Sequence, residues 1–346
     1  MTSTLTSLLH PPAALVPPRW ARGGHIQTLL GHFLPSGGVD LALHAAAERV
    51  ELDLGDGDRL VGFFHPGSEP KRPIVAFFHG LSGDTGSDYM RRAVQAAMQA
   101  GYGVLAMNHR GCGAGVGLAQ RPYHSGCASD LSHALAWCRA QHPQRALYAV
   151  GFSLSGNALL LLLAGRGLCL PDAAVAVNPP IDLEYTSHAM NIGLSRLYEL
   201  RFIRRLLRQL RSRVRAGHIP EGRYKISSRA SLHSFDEQYT APAGGFQNAL
   251  DYYRKCSAGP RLHDISTPTV VISSRDDPLV GVETFERVQA SPSVHLHIED
   301  HGGHLGYVST AASAGLAGRW IDSALVHYLG ELQRVSHTEP RIEIRS

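Results

Sequence analysis

Short apolar runs recur along the chain, separated by stretches with helical spacing. The runs "RPIVAFFH" (72–79), "GVLAMNH" (103–109), "ALYAVGF" (146–152), "AAVAVNP" (173–179), "PTVVISS" (268–274) and "VHLHI" (294–298) are mostly rich in β-formers. Their hydrophobicity is nearly continuous, which predicts strands buried on both faces, as in a parallel sheet. Between them, "DYMRRAVQAAMQAG" (88–101), "ASDLSHALAWCRAQH" (128–142) and the stretch after "GFSLSGN" (151–157) read as helices. This is the βαβ rhythm of a doubly wound α/β domain. Earlier, "RVELDLGDGDRLVGFFHPG" (49–67) alternates around a "GDGD" turn and predicts an antiparallel hairpin at the sheet edge.

One stretch breaks the rhythm. From Asn178 to Thr269 no convincing strand occurs, and a loop of that length needs structure of its own. Its centre, "GLSRLYELRFIRRLLRQLRSRVRAG" (193–217), places Leu194, Leu197, Tyr198, Ile203, Leu206, Leu207, Leu210 and Val214 at helical spacing, with eight arginines between them. The expected division is an N-terminal extension packing on the core (1–48), a first core part (49–183), a helical lid (184–258), a second core part (259–335) and a flexible tail (336–346).

Composition narrows the class. At 346 residues the chain can bury a large core, and 44% apolar with 18% charged residues describes an ordinary globular protein. The net charge of +4 is not that of a nucleic-acid-binding polycation. The five cysteines show no C-x-x-C pair, so neither a disulfide framework nor a zinc site is expected, and a reducing, cytoplasmic setting is. The first twenty residues lack a basic start and are broken by prolines, unlike a secretory signal. No apolar run approaches the ~18–20 residues that span a bilayer.

The chemistry starts at "GFSLSGN". G-x-S-x-G marks a sharp strand-to-helix turn that presents a serine above the sheet. With Ser153 as the nucleophile, Gly151 lies two before it, Ser155 two after it, and a helix follows at once. With Ser155 in that role, Asn157 would crowd the crossing. Ser153 is therefore the candidate nucleophile, and Ser155 is a departure from glycine at a tight position. A serine nucleophile needs a base, and the base an orienting carboxylate, in the order Ser, Asp/Glu, His along this type of chain. "VVISSRDDPLV" supplies Asp276 and Asp277 after one strand, and "HIEDHGGHLGYV" supplies His301 and His304 after the next. His304 follows two glycines and is preferred as base; Asp277 is preferred to Asp276. The N–H groups of Leu81, in "FFHGLSGDTGS" (77–87), and of Leu154 are candidate oxyanion donors. A metal cluster of His79, His109, His124 and His304 is disfavoured, because no pair has metal-ligand spacing. The H-x-x-x-x-D spacing of "HGLSGD" (79–84) is already explained by the oxyanion loop.

Together these segments resemble the YheT-like branch of the α/β-hydrolases, related to the mammalian ABHD1–3-type hydrolases. The resemblance runs from about residue 16 to 330. It rests on "PPRWARGGHIQTLLGHF", "FFHGLSGDTGSDYM", "NHRGCGAG", "RPYHSGCASDL", "GFSLSGN", "NPPIDL", "FDEQYTAPAGGFQNALDYYRKCS", "DDPLV" and "GGHLGY". It implies a mostly parallel sheet flanked by helices, with a helical lid, and a serine hydrolase or acyltransferase acting on small-molecule carboxylic esters without metal or organic cofactor. The arginine-rich helix at 193–217 is expected to pack over the pocket, with peripheral contact to an anionic membrane as a second role. Oligomeric state is left open.

Overall fold

Alternate residues of each apolar run go to opposite sides of one sheet, and this sorting builds the core. In "IVAFF", Ile74, Ala76 and Phe78 join one buried cluster while Val75 and Phe77 join the other; Leu105 and Met107 part from Val104 and Ala106 in the same way. Burial on both faces explains why these runs lack polar alternation. The computed structural model describes residues 4–33, 38–40, 42–311 and 315–338.

The strands are β1 (Glu48–Asp53), β2 (Arg59–His65), β3 (Ile74–Phe78), β4 (Gly103–Asn108), β5 (Leu147–Phe152), β6 (Ala173–Val177), β7 (Thr269–Ser274) and β8 (Val294–Glu299). They form one sheet in the order β1-β2-β4-β3-β5-β6-β7-β8. The β1–β2 hairpin is antiparallel and stands at one edge; from β4 to β8 every pairing is parallel. The order reverses between β3 and β5, so the loops after these strands diverge and leave a crevice at the carboxyl end of the sheet.

The main helices are α1 (Gly24–Phe33), α2 (Asp88–Gln99), α3 (Ala128–Gln141), α4 (Leu154–Leu161), α5 (Leu183–Met190), α6 (Ser195–Arg215), α7 (Ala249–Cys256) and α8 (Trp320–Thr338). On one face α2 buries Met90, Ala93, Val94 and Ala97 beside Ile321, Leu325, Tyr328 and Leu332 of α8, each set at helical spacing. Helix α4 lies on the other face and is buried throughout. Between β6 and β7 the described residues form helices α5 to α7 and shorter turns, with no strand. Helix α8 runs to Thr338, past the boundary expected at 336; the remainder of the expected tail, 339–346, lies outside the described residues.

Helix α6 differs from its sequence reading at both ends. Tyr198, Ile203, Leu206, Leu207 and Leu210 are buried, but Leu194 and Leu197 are 61% and 65% exposed. Nor do all its arginines face water: Arg213 is buried and donates to the carbonyls of Arg110 and Arg121. Among the described residues no helix is long and apolar enough to cross a membrane.

Candidate active site

Strand β5 ends at Phe152 and α4 starts at Leu154, which leaves Ser153 alone to turn the chain. It does so at φ 51°, ψ −121°, a conformation most L-residues avoid. Gly151 is required beneath it, since a Cβ there would lie 2.5 Å from the carbonyl oxygen of Ser155. The Ser153 N–H donates to Val177 O at 2.7 Å and ties the turn to β6.

The residues singled out as nucleophile, base and carboxylate meet. His304 Nε2 lies 2.9 Å from Ser153 Oγ, and His304 Nδ1 lies 2.8 Å from Asp277 Oδ2. A carboxylate can only accept, so Nδ1 carries the proton and Nε2 is left to accept from the serine. Asp277 is fixed by three further donors: Asn178 Nδ2 to Oδ2, and the N–H groups of Leu279 and Val280 to Oδ1. Asp276 pairs instead with the other histidine of the loop. Its Oδ1 accepts from Gly303 N–H at 2.8 Å and its Oδ2 lies 3.4 Å from His301 Nδ1. Each loop thus supplies one residue to the line Ser153–His304–Asp277 and one to the bracing between the two loops.

The loop after β3 passes close over Ser153: a Cβ added to Gly80 would stand 3.0 Å from Ser153 Cβ. Leu81 and Leu154 border the cavity at Ser153, and their N–H groups donate to no group among the described residues. Gly80 itself is held by the Tyr89 hydroxyl, 2.8 Å from its N–H.

Ser155 has a different surrounding. It is fully buried, and its hydroxyl donates to the His79 carbonyl while accepting from His109 Nε2 at 2.6 Å and Tyr123 Oη at 2.8 Å. The His109 ring stacks on Tyr123 with centroids 3.8 Å apart. Burial holds the His109 imidazole well below its usual pKa and the Tyr123 phenol well above its own, so both stay neutral. His79 is likewise pushed down to about 4 by burial. Its Nδ1–H donates to Gly80 O and its Nε2 accepts from His109 N–H. Ser155 is therefore a structural knot under the loop after β3, and the extra CH₂OH at the tight position is both accommodated and satisfied. Among the described residues no group of three or more His, Cys, Asp or Glu is arranged to hold a metal ion.

Two spaces open at Ser153. One is a largely apolar chamber walled by Leu183, Met190, Phe202 and Leu206 from α5 and α6 and by Leu279 and Val280. The other is a cleft whose border includes the polar and charged side chains His32, Asp88, Tyr89, Arg201 and Arg205. Residues 75–317 match the family described as "Alpha/beta hydrolase family".

The chain belongs to the alpha/beta hydrolase family. Within it the chain falls in the YheT-like branch: it is 34% identical over 313 residues to YheT of Escherichia coli (strain K12), a protein named as an esterase, covering 89% of this chain and 91% of that one. It is 31% identical over 264 residues to the "Medium-chain fatty acid ethyl ester synthase/esterase 2" of Saccharomyces cerevisiae, covering 68% of this chain and 58% of that protein. Among solved structures, the Pyrococcus furiosus esterase Pf2001 shares the fold with TM-score 0.54 at 18% identity, over 83% of this chain and 92% of that one.

Several residues of this hydrolase site had no role assigned from sequence. Asn178, at φ 46° just past β6, links Asp277 to the Tyr307 hydroxyl, 3.0 Å from its Oδ1. A polar residue directly after a wholly apolar strand was the available signal. From α1, Thr28 and Gln27 bond to the loop carrying His304, within "HIQT", a segment whose function no local pattern announces.

Proposed function

We propose that this hydrolase cleaves carboxylic esters through an acyl-enzyme on Ser153. The observation supporting it is the continuous hydrogen-bonded line Ser153–His304–Asp277 at 2.9 and 2.8 Å, opening on an apolar chamber. In this reading Ser153 Oγ attacks the ester carbonyl as His304 Nε2 takes its proton. Asp277 keeps the imidazole in the needed tautomer and stabilises its charged form. The N–H groups of Leu81 and Leu154 stabilise the oxyanion. His304 then protonates the departing alcohol, and water, activated by the same imidazole, releases the acid.

The acyl chain, short, medium or lipid-like, occupies the chamber, and the helices over 184–258 act as its lid. An alcohol in place of water would yield a new ester. The yeast relative's name as both synthase and esterase favours keeping that second reading. Exposed Leu194 and Leu197 at the start of α6, with exposed Arg204 and Arg208 farther along it, support peripheral contact with an anionic membrane from the cytoplasmic side.

The test is labelling by a fluorophosphonate together with p-nitrophenyl ester hydrolysis. Wild type should show both and Ser153→Ala neither, with Ser155→Ala still labelled. Ester turnover persisting in Ser153→Ala would overturn the assignment.

A further inference from the structure

One part of the chamber is polar where a hydrocarbon chain needs no polarity. Thr186 and Ser187 on α5, Asp236 in the turn after the short helix Leu232–Phe235, and Tyr253 on α7 all border it. Tyr253 Oη lies 2.9 Å from Asp236 Oδ2 and 3.0 Å from Ser187 Oγ, so three of the four are linked. Thr186 is 92% buried by its 8% exposure, and its hydroxyl finds no partner. Asp236 is buried too, and among the described residues no Arg, Lys or His forms an ion pair with it.

An unbranched alkyl chain beside these groups would leave the Thr186 hydroxyl unbonded and press methylenes against a carboxyl. Both cost binding energy relative to a ligand that bonds them. A hydroxyl on the chain fits both needs, accepting from Thr186 O–H and donating to Asp236. Resting on the esterase reading of Ser153, we infer that Thr186 and Asp236 form a hydroxyl-recognising subsite and that the preferred substrates are esters of hydroxylated acyl chains, with an apolar stretch between carbonyl and hydroxyl.

The experiment compares kcat/KM for p-nitrophenyl alkanoates with esters of the same length bearing a hydroxyl at successive positions. At one or more positions the hydroxylated ester should be preferred about tenfold or more in wild type, since a buried hydrogen-bonding site discriminates strongly between matched and unmatched ligands. In Thr186→Val and Asp236→Asn that ratio should fall towards one, whereas Thr186→Ser should keep it. The plain ester, measured in each variant, reports whether the site still works. If wild type hydrolyses plain esters through Ser153 but disfavours the hydroxylated ester at every position, this subsite is wrong and the esterase reading stands. If Ser153→Ala retains turnover, the esterase reading itself falls.

Discussion

Thr28 holds His304 from the far end of the sequence. Its Oγ1 accepts the His304 backbone N–H at 2.9 Å and donates to Gly24 O at 2.7 Å. Gln27 beside it is fully buried; its Oε1 accepts from Val308 N–H at 2.7 Å and its Nε2 donates to Ala21 O. The contact is close: a Cβ on Gly303 would come within 2.4 Å of Gly24 O, and one on Gly306 within 2.2 Å of Gln27 O. Helix α1 and the loop after β8 thus interlock, and His304 is positioned by Gln27 and Thr28 of that helix.

Replacing Thr28 with Val keeps the shape but strands the His304 N–H. A buried donor left unpaired costs about 1–3 kcal/mol. The loop should shift to find water, and kcat should fall about tenfold or more with KM less affected. Thr28→Ser restores the acceptor and should recover most of the rate. Equal kcat in the Val variant and wild type would show that the loop is held without Thr28.

Ser155 separates stability from activity. Ser155→Ala strands His109 Nε2–H and leaves the His79 carbonyl and the Tyr123 hydroxyl only each other, 3.5 Å apart, all inside the core. We expect a loss of about 1–3 kcal/mol in unfolding free energy, read from the urea midpoint. Most esterase activity should remain, because the Ser153–His304 contact does not pass through this knot. Ser153→Ala should do the reverse and abolish turnover with little change in the midpoint.

At Gly80 the crowding is direct. Gly80→Ala sets a Cβ 3.0 Å from Ser153 Cβ and 3.2 Å from Phe152 O, so the loop carrying Leu81 must move outward. If the Leu81 N–H serves the oxyanion, kcat should drop by about 10²–10³, the usual effect of losing one such donor. Unchanged kcat in a folded Gly80→Ala protein would remove Leu81 from that role.

The strands were readable because burial on both faces leaves long apolar runs, and all six parallel runs sit within a residue or two of their sequence limits. That Ser153, Asp277 and His304 come within hydrogen-bond reach of one another was foreshadowed in the sequence, where each follows a strand end in the order Ser, Asp, His. The preference for Asp277 over Asp276 rested only on its place before Pro278, since adjacent carboxylates differ only in where the turn aims them. Equally hidden was the partnership of Thr28 with His304, which spans 276 positions and involves a backbone N–H that no side-chain pattern reports. The exposure of Leu194 and Leu197 escaped the helical pattern because the start of α6 packs through Ser195, Tyr198 and Glu199 instead, a face that leucine spacing does not report.

Asp236 gives the site a pH signature in stability. Burial raises its pKa from 3.8 to about 6, against the lowering effects of Thr240, Tyr253 and His124. The folded state therefore keeps this proton to higher pH than the unfolded chain. The associated stability is fully present below pH 3.8 and is lost as pH rises through about 6. Asp236→Asn has no such proton to lose. Its stability relative to wild type should rise between pH 4 and pH 7 by up to about 3 kcal/mol, at about 1.4 kcal/mol per unit of pKa difference. Urea midpoints for the two proteins across that range check it, and a constant difference would mean that Asp236 is ordinary in the folded state.

The outward face of α6 makes the membrane reading testable without touching the site. Leu194 and Leu197 project into solvent beside Ile192, itself 61% exposed, while Arg204, Arg208, Arg211 and Arg215 continue along the helix in exposed positions. Apolar residues at one end and cations along the rest suit a helix lying on an anionic interface. Each arginine near such a surface contributes about 1 kcal/mol, and the leucines insert at its edge. Sedimentation with vesicles should therefore show binding to phosphatidylserine-containing membranes that weakens with added salt. The pair Leu194→Ser and Leu197→Ser should reduce it about tenfold or more, with hydrolysis of a water-soluble ester unchanged. Binding as strong to neutral vesicles as to anionic ones would remove the arginines from the account, and no binding to either would return the exposed leucines to an unexplained surface.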